Sequence, residues 1–238
     1  MVLQLEAVSK LCEEFTSQGH LGKKLSQRAL LRRAETSSQA RRYLTSTTRP
    51  HAVIVTDNAV TLPKYRDVLQ LLVDYAAAGG TVVYAGMFSS FTIHPDIEFM
   101  FKSAWGLPWR PCAYMRETIA VNPLIKGLHV NMLVPKYSMK ATYLGDVAPS
   151  DAVYLELPQI RKLKKSRAGQ SSATCKTPAA FAAIGRGRVG YVGDVNGEKD
   201  TTSLILAMCF HPAARAPPAP GTGSPISVSV THWCTCRT

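Results

Sequence analysis

No stretch of the sequence approaches the ~18 consecutive apolar residues that a membrane-spanning helix requires. No secretory leader is expected here either, because Glu6, Glu13 and Glu14 interrupt MVLQLEAVSKLCEEF where an unbroken apolar core would have to lie. The expectation is an intracellular protein, cytoplasmic or, given its basic segments, nuclear. Cysteine is present six times, yet Cys12, Cys112, Cys175 and Cys209 stand alone and only Cys234 and Cys236 are close together. A zinc site wants two close pairs or a regular Cys/His cluster, so no metal is expected and the thiols read as reduced. Phosphate-loop chemistry is absent as well: Gly185-Arg186-Gly187-Arg188 lacks the Lys-Ser/Thr pair and joins two apolar runs, where a strand and a helix would be needed. Asp194-Val195-Asn196-Gly197 lacks the later ligands of a calcium loop. No cofactor is called for.

Acid is scarce. Asp and Glu number 16 against 28 Lys and Arg, a formal charge of +12. That excess is local. Lys23, Lys24, Arg28, Arg32, Arg33, Arg41, Arg42 and Arg49 face only Glu35 in one segment, and Arg161, Lys162, Lys164, Lys165, Arg167 and Lys176 face no acid in another. Together these two segments account for the whole of it. Aromatic residues are almost absent from both, with Tyr43 alone in the first, so base stacking has little support and solvated basic surface is the better reading. Nucleic-acid binding stays the weakest of the functional readings.

What is present is an α/β pattern. With 238 residues, 46% of them hydrophobic, the chain can bury one sizeable core. Ala52 to Val55 is apolar on both faces and bounded by Pro50 and Asp57-Asn58, which fits a buried parallel strand. Leu62-Pro63 opens a helix with Val68, Leu69, Leu72 and Val73 on one side, Gly79-Gly80 stops it, and Thr81 to Ala85 is the next strand. Residues 51 to 85 therefore form a βαβ unit. A turn at residues 86 to 92 leads to a helix from Asp96 to Trp105. Residues 106 to 111 read as an aromatic, proline-rich loop, and residues 119 to 149 as irregular chain with one strand near Ala141 to Leu144. Ala152 to Leu157 is a further strand candidate, and Arg161 to Thr177 a basic loop. Ala179 to Ile184 and Arg188 to Val192 flank Gly185-Arg186-Gly187 as a β-hairpin, and Thr201 to Phe210 is a helix. Two more helices are expected before the first strand, over residues 3 to 15 and 24 to 44. The organisation is thus a basic helical segment over residues 1 to 49, an α/β domain over 50 to 210, and a proline-rich tail over 211 to 238 read as disordered.

Three stretches carry a resemblance. PHAVIVTD, DYAAAGGTVVYAGMF and AIGRGRVGYVGDVNGE are similar, in order and character, to parts of the class I glutamine amidotransferase-like superfamily, near its ThuA-like group. The wording of FSSF, WGLPWR and GYVGDVNGE resembles a fungal group within it. The resemblance implies a three-layer sandwich with a mainly parallel, flavodoxin-like sheet and a C-terminal β-hairpin. It also implies a cysteine at the turn after the second strand of the βαβ unit, and a histidine followed by a carboxylate at the end of the hairpin. This chain has Met87 or Phe88 at the first place and Gly193-Asp194-Val195-Asn196 at the second. Neither methionine nor phenylalanine can attack an amide carbonyl, and an aspartate does not replace an imidazole poised near neutral pH. The strand expected ahead of residue 50 is not evident.

Ligands of a parallel sheet gather at the carboxyl ends of its strands. The candidate cleft there comprises Asp57, Gly86, Met87, Phe88, Ser89, Ser90, Asp194 and Asn196. Ser89 or Ser90 with Asp194 could make a serine hydrolase pair, although both serines also suit the capping of the turn that follows. His94, before Pro95, reads as a surface residue. Asp57 and Asp194 could frame a small polar pocket, or could serve the turns in which Asx residues are common. Trp105, Trp109 and Tyr114 with Arg110 and Arg116 could line a cleft, or pack a loop over the sheet. The leading expectation is a catalytically degenerate member of the superfamily that binds a small molecule or a protein, self-association into a homodimer included. A serine-dependent hydrolase of the same fold is the alternative, and a charge-driven nucleic-acid binder the second alternative.

Overall fold

The computed structural model describes residues 1–3, 19–165 and 174–211. Its main sheet has six strands, of which five run parallel: β1 (Val2–Leu3), β2 (Arg33–Ala34), β3 (Ala52–Val55), β4 (Thr81–Tyr84) and β10 (Gly187–Val192). The sixth, β9 (Ala179–Ile184), pairs antiparallel with β10 across the Gly185-Arg186 turn, so the hairpin expected from the glycines is present. The order is β2-β1-β3-β4-β10-β9. Numbered along the chain, the parallel strands follow the doubly wound order 2-1-3-4-5 of flavodoxin-like sheets.

The pattern of the strands explains why the sheet is buried on both faces. Val53, Val55, Val82, Tyr84, Val189 and Tyr191 point into one hydrophobic core, and Ala52, Ile54, Val83, Ala85 and Val192 into another. Helices α2 (Ser37–Thr45), α3 (Arg66–Ala77) and α5 (His94–Ser103) cover the first face; α1 (His20–Ser26) and α7 (Thr201–Cys209) cover the second. The α3 helix begins after Pro63 and ends where Gly79 takes φ +111°, a conformation that favours glycine. The protein is an α/β fold with helices on both sides of a mixed, mostly parallel sheet.

Four expectations are corrected. The missing strand exists: Val2 and Leu3 pair with Arg33-Ala34 on one side and Ile54-Val55 on the other, while residues 4–18, where most of the expected first helix falls, lie outside the described residues. The helix expected over residues 24 to 44 is two helices, α1 and α2, separated by β2. The chain from residue 106 to 149 is far more ordered than its prolines and glycines suggest. It forms β5 (Arg110–Val121) and β6 (Lys136–Val147), a long antiparallel pair flanked by β7 (Tyr154–Glu156) and β8 (Cys175–Thr177) in a second sheet of order β7-β5-β6-β8. Finally, the basic loop begins as a helix, α6 (Leu157–Lys165). The tail assigned to residues 211 to 238 lies outside the described residues except for His211.

The two sheets join at the end of β10. Thr142 donates its N–H to Gly193 and Val195 to Lys140, and Ala141 bridges Asp194, so the middle of β6 lies across the carboxyl end of β10. Trp105 and Trp109 are buried with Tyr84, Phe101 and Tyr191, which makes them core residues, not a cleft lining; Tyr114 stands outside on β5 under the Lys140 ammonium.

Candidate functional site

The turn after β4 is built by Gly86. Its φ of +66° places it in the left-handed region between the strand and the short helix α4 (Phe88–Phe91). A strand-to-helix elbow presents its nucleophile at this sharply bent position, so the residue standing there is Gly86 and not Met87 or Phe88, the positions expected from the sequence. Glycine has no side chain to offer. Met87 is the N-cap of α4, and Phe88 turns inward to pack on Tyr84 with ring centroids 4.7 Å apart.

Asp57, Ser89 and Asp194 follow β3, β4 and β10 at the carboxyl edge of the sheet, and all are buried, at 1%, 5% and 4% exposure. Their bonds decide what they can do. Asp194 Oδ1 accepts from the N–H groups of Asn196 and Gly197 at 2.9 and 3.1 Å, and Oδ2 from Glu198 at 2.8 Å. Three main-chain donors thus hold both oxygens. Ser89 Oγ donates to the Asp194 carbonyl oxygen at 3.4 Å, a long bond to main chain that does nothing to activate the hydroxyl. The hydrolase pair expected of Ser89 and Asp194 is therefore not formed through the carboxylate. Ser90 is exposed on α4, Asn196 is exposed in the turn, and His94 is exposed at the start of α5.

Asp57 follows β3 with Thr56 between them, where the strand order reverses between β1 and β3, the position at which doubly wound folds take their ligands. Thr56 ties that point together, since its N–H and its hydroxyl both donate to the Leu3 carbonyl, at 3.0 and 3.2 Å. Asp57 Oδ1 accepts from the Ala59 N–H at 3.2 Å and starts the turn that leads to α3. Asp57 and Asp194 thus each hold the turn that follows their strand, a role that aspartates commonly have.

The feature missed from the sequence is what lies over this edge. Gly193 meets β6 so closely that a Cβ there would strike the Thr142 carbonyl oxygen, and the buried Tyr191 hydroxyl donates to the same oxygen at 3.0 Å. The only signal available was Gly193 itself, a glycine at a strand end where backbone approaches backbone.

No protein-family model matches the chain, and no curated protein is similar to it. Solved structures are. A ThuA-like protein from Bacteroides uniformis has a TM-score of 0.52 at 11% identity, covering 87% of each chain. A cytoplasmic protein of Salmonella typhimurium gives a TM-score of 0.47 at 11% identity, over 80% of this chain and 84% of that one. A β-galactosidase from Bacillus circulans sp. alkalophilus gives 0.43 at 13% identity, over 70% of this chain, which spans only 23% of that enzyme. The first of these shows a ThuA-like fold. Among the described residues no helix is long and apolar enough to cross a membrane.

Proposed function

We propose that the chain is a catalytically degenerate member of the class I glutamine amidotransferase-like superfamily that works as a binding or interaction module. The observation that carries this reading is the elbow: the left-handed position between β4 and α4 is Gly86, without a nucleophile, while the nearest hydroxyl and carboxylate are engaged with main chain. Acyl-transfer chemistry needs a nucleophile beside a base, and donors aimed at the developing oxyanion. The resemblance to the ThuA-like group supports the superfamily assignment on fold.

The test is labelling of the full chain with a serine-reactive fluorophosphonate, together with a glutaminase assay. No covalent adduct and no ammonia release from glutamine are expected. An adduct lost in Ser89→Ala or in Ser90→Ala would overturn the reading and name a hydrolase nucleophile.

A further inference from the structure

The amino-terminal end of the main sheet, opposite the edge just described, holds a cavity of ≈ 220 Å³ between the last turn of α3 and the residues that follow α7. Arg49, His51, Tyr75, Gly80, Thr81 and His211 are among its lining residues, and no carboxylate is. The floor is firm. The Tyr75 hydroxyl donates to the Pro50 carbonyl at 2.7 Å, and its ring lies so close on Gly80 that a Cβ there would strike it. On the rim, Phe210 stacks on His51 with centroids 6.1 Å apart, and the Arg28 guanidinium stands 6.0 Å from the Phe210 ring. His211 packs edge-on against Phe181, and its buried Nδ1 has no hydrogen-bond partner among the described residues.

The charge at this end is unbalanced. Two helices finish here, and their carbonyl ends attract cations; Arg186 answers that pull, since its Nη2 donates to the Ala78 carbonyl at 3.3 Å. The other cations are not accounted for in that way. Among the described residues Arg28, Arg49 and Arg188 form no ion pair with a carboxylate. Asp151 is the acid whose field reaches Arg188. Burial holds the His211 imidazole below its ordinary proton affinity, and the positive fields of Arg188 from β10, His129 from the chain before β6 and His51 from the start of β3 push it the same way. Cations gathered with so little compensation favour the arrival of an anion, which neutralises all of them at once.

We propose that this cavity binds a small, doubly charged oxyanion of the phosphate-monoester kind, held by Arg49, His51 and His211. The planar fork of arginine suits a phosphate or sulfate head, and the unpaired His211 Nδ1 supplies a donor once the ring takes up a proton. A volume of ≈ 220 Å³ is below the ~300 Å³ at which sites for drug-sized ligands begin, which selects a head group with a short organic stem over a whole nucleotide. The inference is independent of the proposed function, because it concerns the other end of the sheet.

The experiment is calorimetric titration of the full chain with sodium sulfate, whose charge is fixed across the range used, at constant ionic strength set with chloride. Sulfate should bind at about pH 6 and several-fold more weakly at about pH 8, because the ion favours the protonated form of the His211 imidazole. Arg49→Gln should weaken binding about tenfold, and His211→Gln should flatten the pH dependence. Arg42→Gln, on α2 against Tyr43, should bind as the parent does. Amide shifts of Gly79, Gly80 and Thr81 in a sulfate titration followed by NMR would place the ion. Equal binding by the Arg49 and Arg42 variants, no binding by the parent, or shifts confined to other residues would overturn the proposal.

Discussion

At the carboxyl end of the main sheet Asp57, Ser89 and Asp194 are buried and bonded to main chain, whereas at the amino end Arg49 and His51 are exposed and cations are in surplus. Asp57 and Asp194 accept from N–H groups of the turns they begin, the Ser89 hydroxyl donates to a carbonyl oxygen, and β6 lies across the end of β10. Arg49, His51 and His211 line a cavity, and no carboxylate stands among them. The general rule for doubly wound sheets points to the first end. What separates a site from a scaffold, however, is spare bonding capacity, and that lies at the second.

The largest effect expected is at the join between the sheets. Gly193→Ala drives a Cβ into the Thr142 carbonyl, and neither strand can retreat without breaking the bonds on both sides of it. A loss of about 2–3 kcal/mol is expected. For a domain of this size the midpoint of thermal unfolding should fall by roughly 5–10 °C, measured by circular dichroism. A fall under about 1 °C would mean that β6 moves freely over the carboxyl end, and the contrast between the two ends would collapse. Next in size is Asp194→Ala, which leaves the N–H groups of Asn196, Gly197 and Glu198 without their acceptor and should cost about 2 kcal/mol. Asp194→Asn keeps one oxygen and should cost about half as much, by chemical denaturation.

The βαβ unit was legible in the sequence because its signals are local. Pro63 and Gly79-Gly80 bracket one helix, and Ala52–Val55 and Thr81–Tyr84 are apolar on both faces, as buried parallel strands are. The second sheet was not. Along β5 the outward residues Cys112, Tyr114, Arg116 and Thr118 are exposed, and the inward ones up to Met115 are only half-buried, so the alternation carries little hydrophobic contrast. The stability of β5 comes from its pairing with β6, whose partner residues lie between 16 (Ala120 to Lys136) and 35 (Arg110 to Gly145) positions away in sequence. Between α1 and α2 no glycine or proline marks the break; Arg33 and Ala34 are strand only because Val2 and Leu3 offer an edge. At the candidate site, the sequence named Asp57, Ser89 and Asp194 as neighbours of one edge but could not say that their bonds were already taken, since that depends on donors in turns. The amino-end cavity gave no motif at all, because its residues come from three separate segments.

Two further changes sharpen the contrast from the amino end. Gly80→Ala should cost about 1–2 kcal/mol, less than Gly193→Ala, because the obstacle is the Tyr75 ring and not a carbonyl; the ring can swing into the cavity. The same variant should lose sulfate binding, since the swung ring occupies the space. Acid should also act here. The folded state holds the His211 imidazole below the ordinary value of 6.5, so the unfolded chain binds the extra proton more readily. Stability is therefore complete above about pH 6.5 and declines as pH falls towards the lowered folded value. His211→Gln should remove that part of the decline in denaturation curves recorded across this range, and sulfate should oppose it in the parent.

The smallest effects belong to the two serines that looked most like nucleophiles. Ser89→Ala removes a 3.4 Å bond to the Asp194 carbonyl and little else. A bond that long contributes at the low end of the usual range, so about 0.5 kcal/mol is expected, near the resolution of equilibrium denaturation. Ser90→Ala, on the exposed face of α4, should cost less still. The value of the pair is in the comparison with Asp194→Ala. If Ser89 and Asp194 worked as a catalytic couple, removing either would abolish the same covalent labelling while stability changed little. If Asp194 is a turn-holder and Ser89 a bystander, stability separates the two variants by about 1.5 kcal/mol and labelling separates neither from the parent.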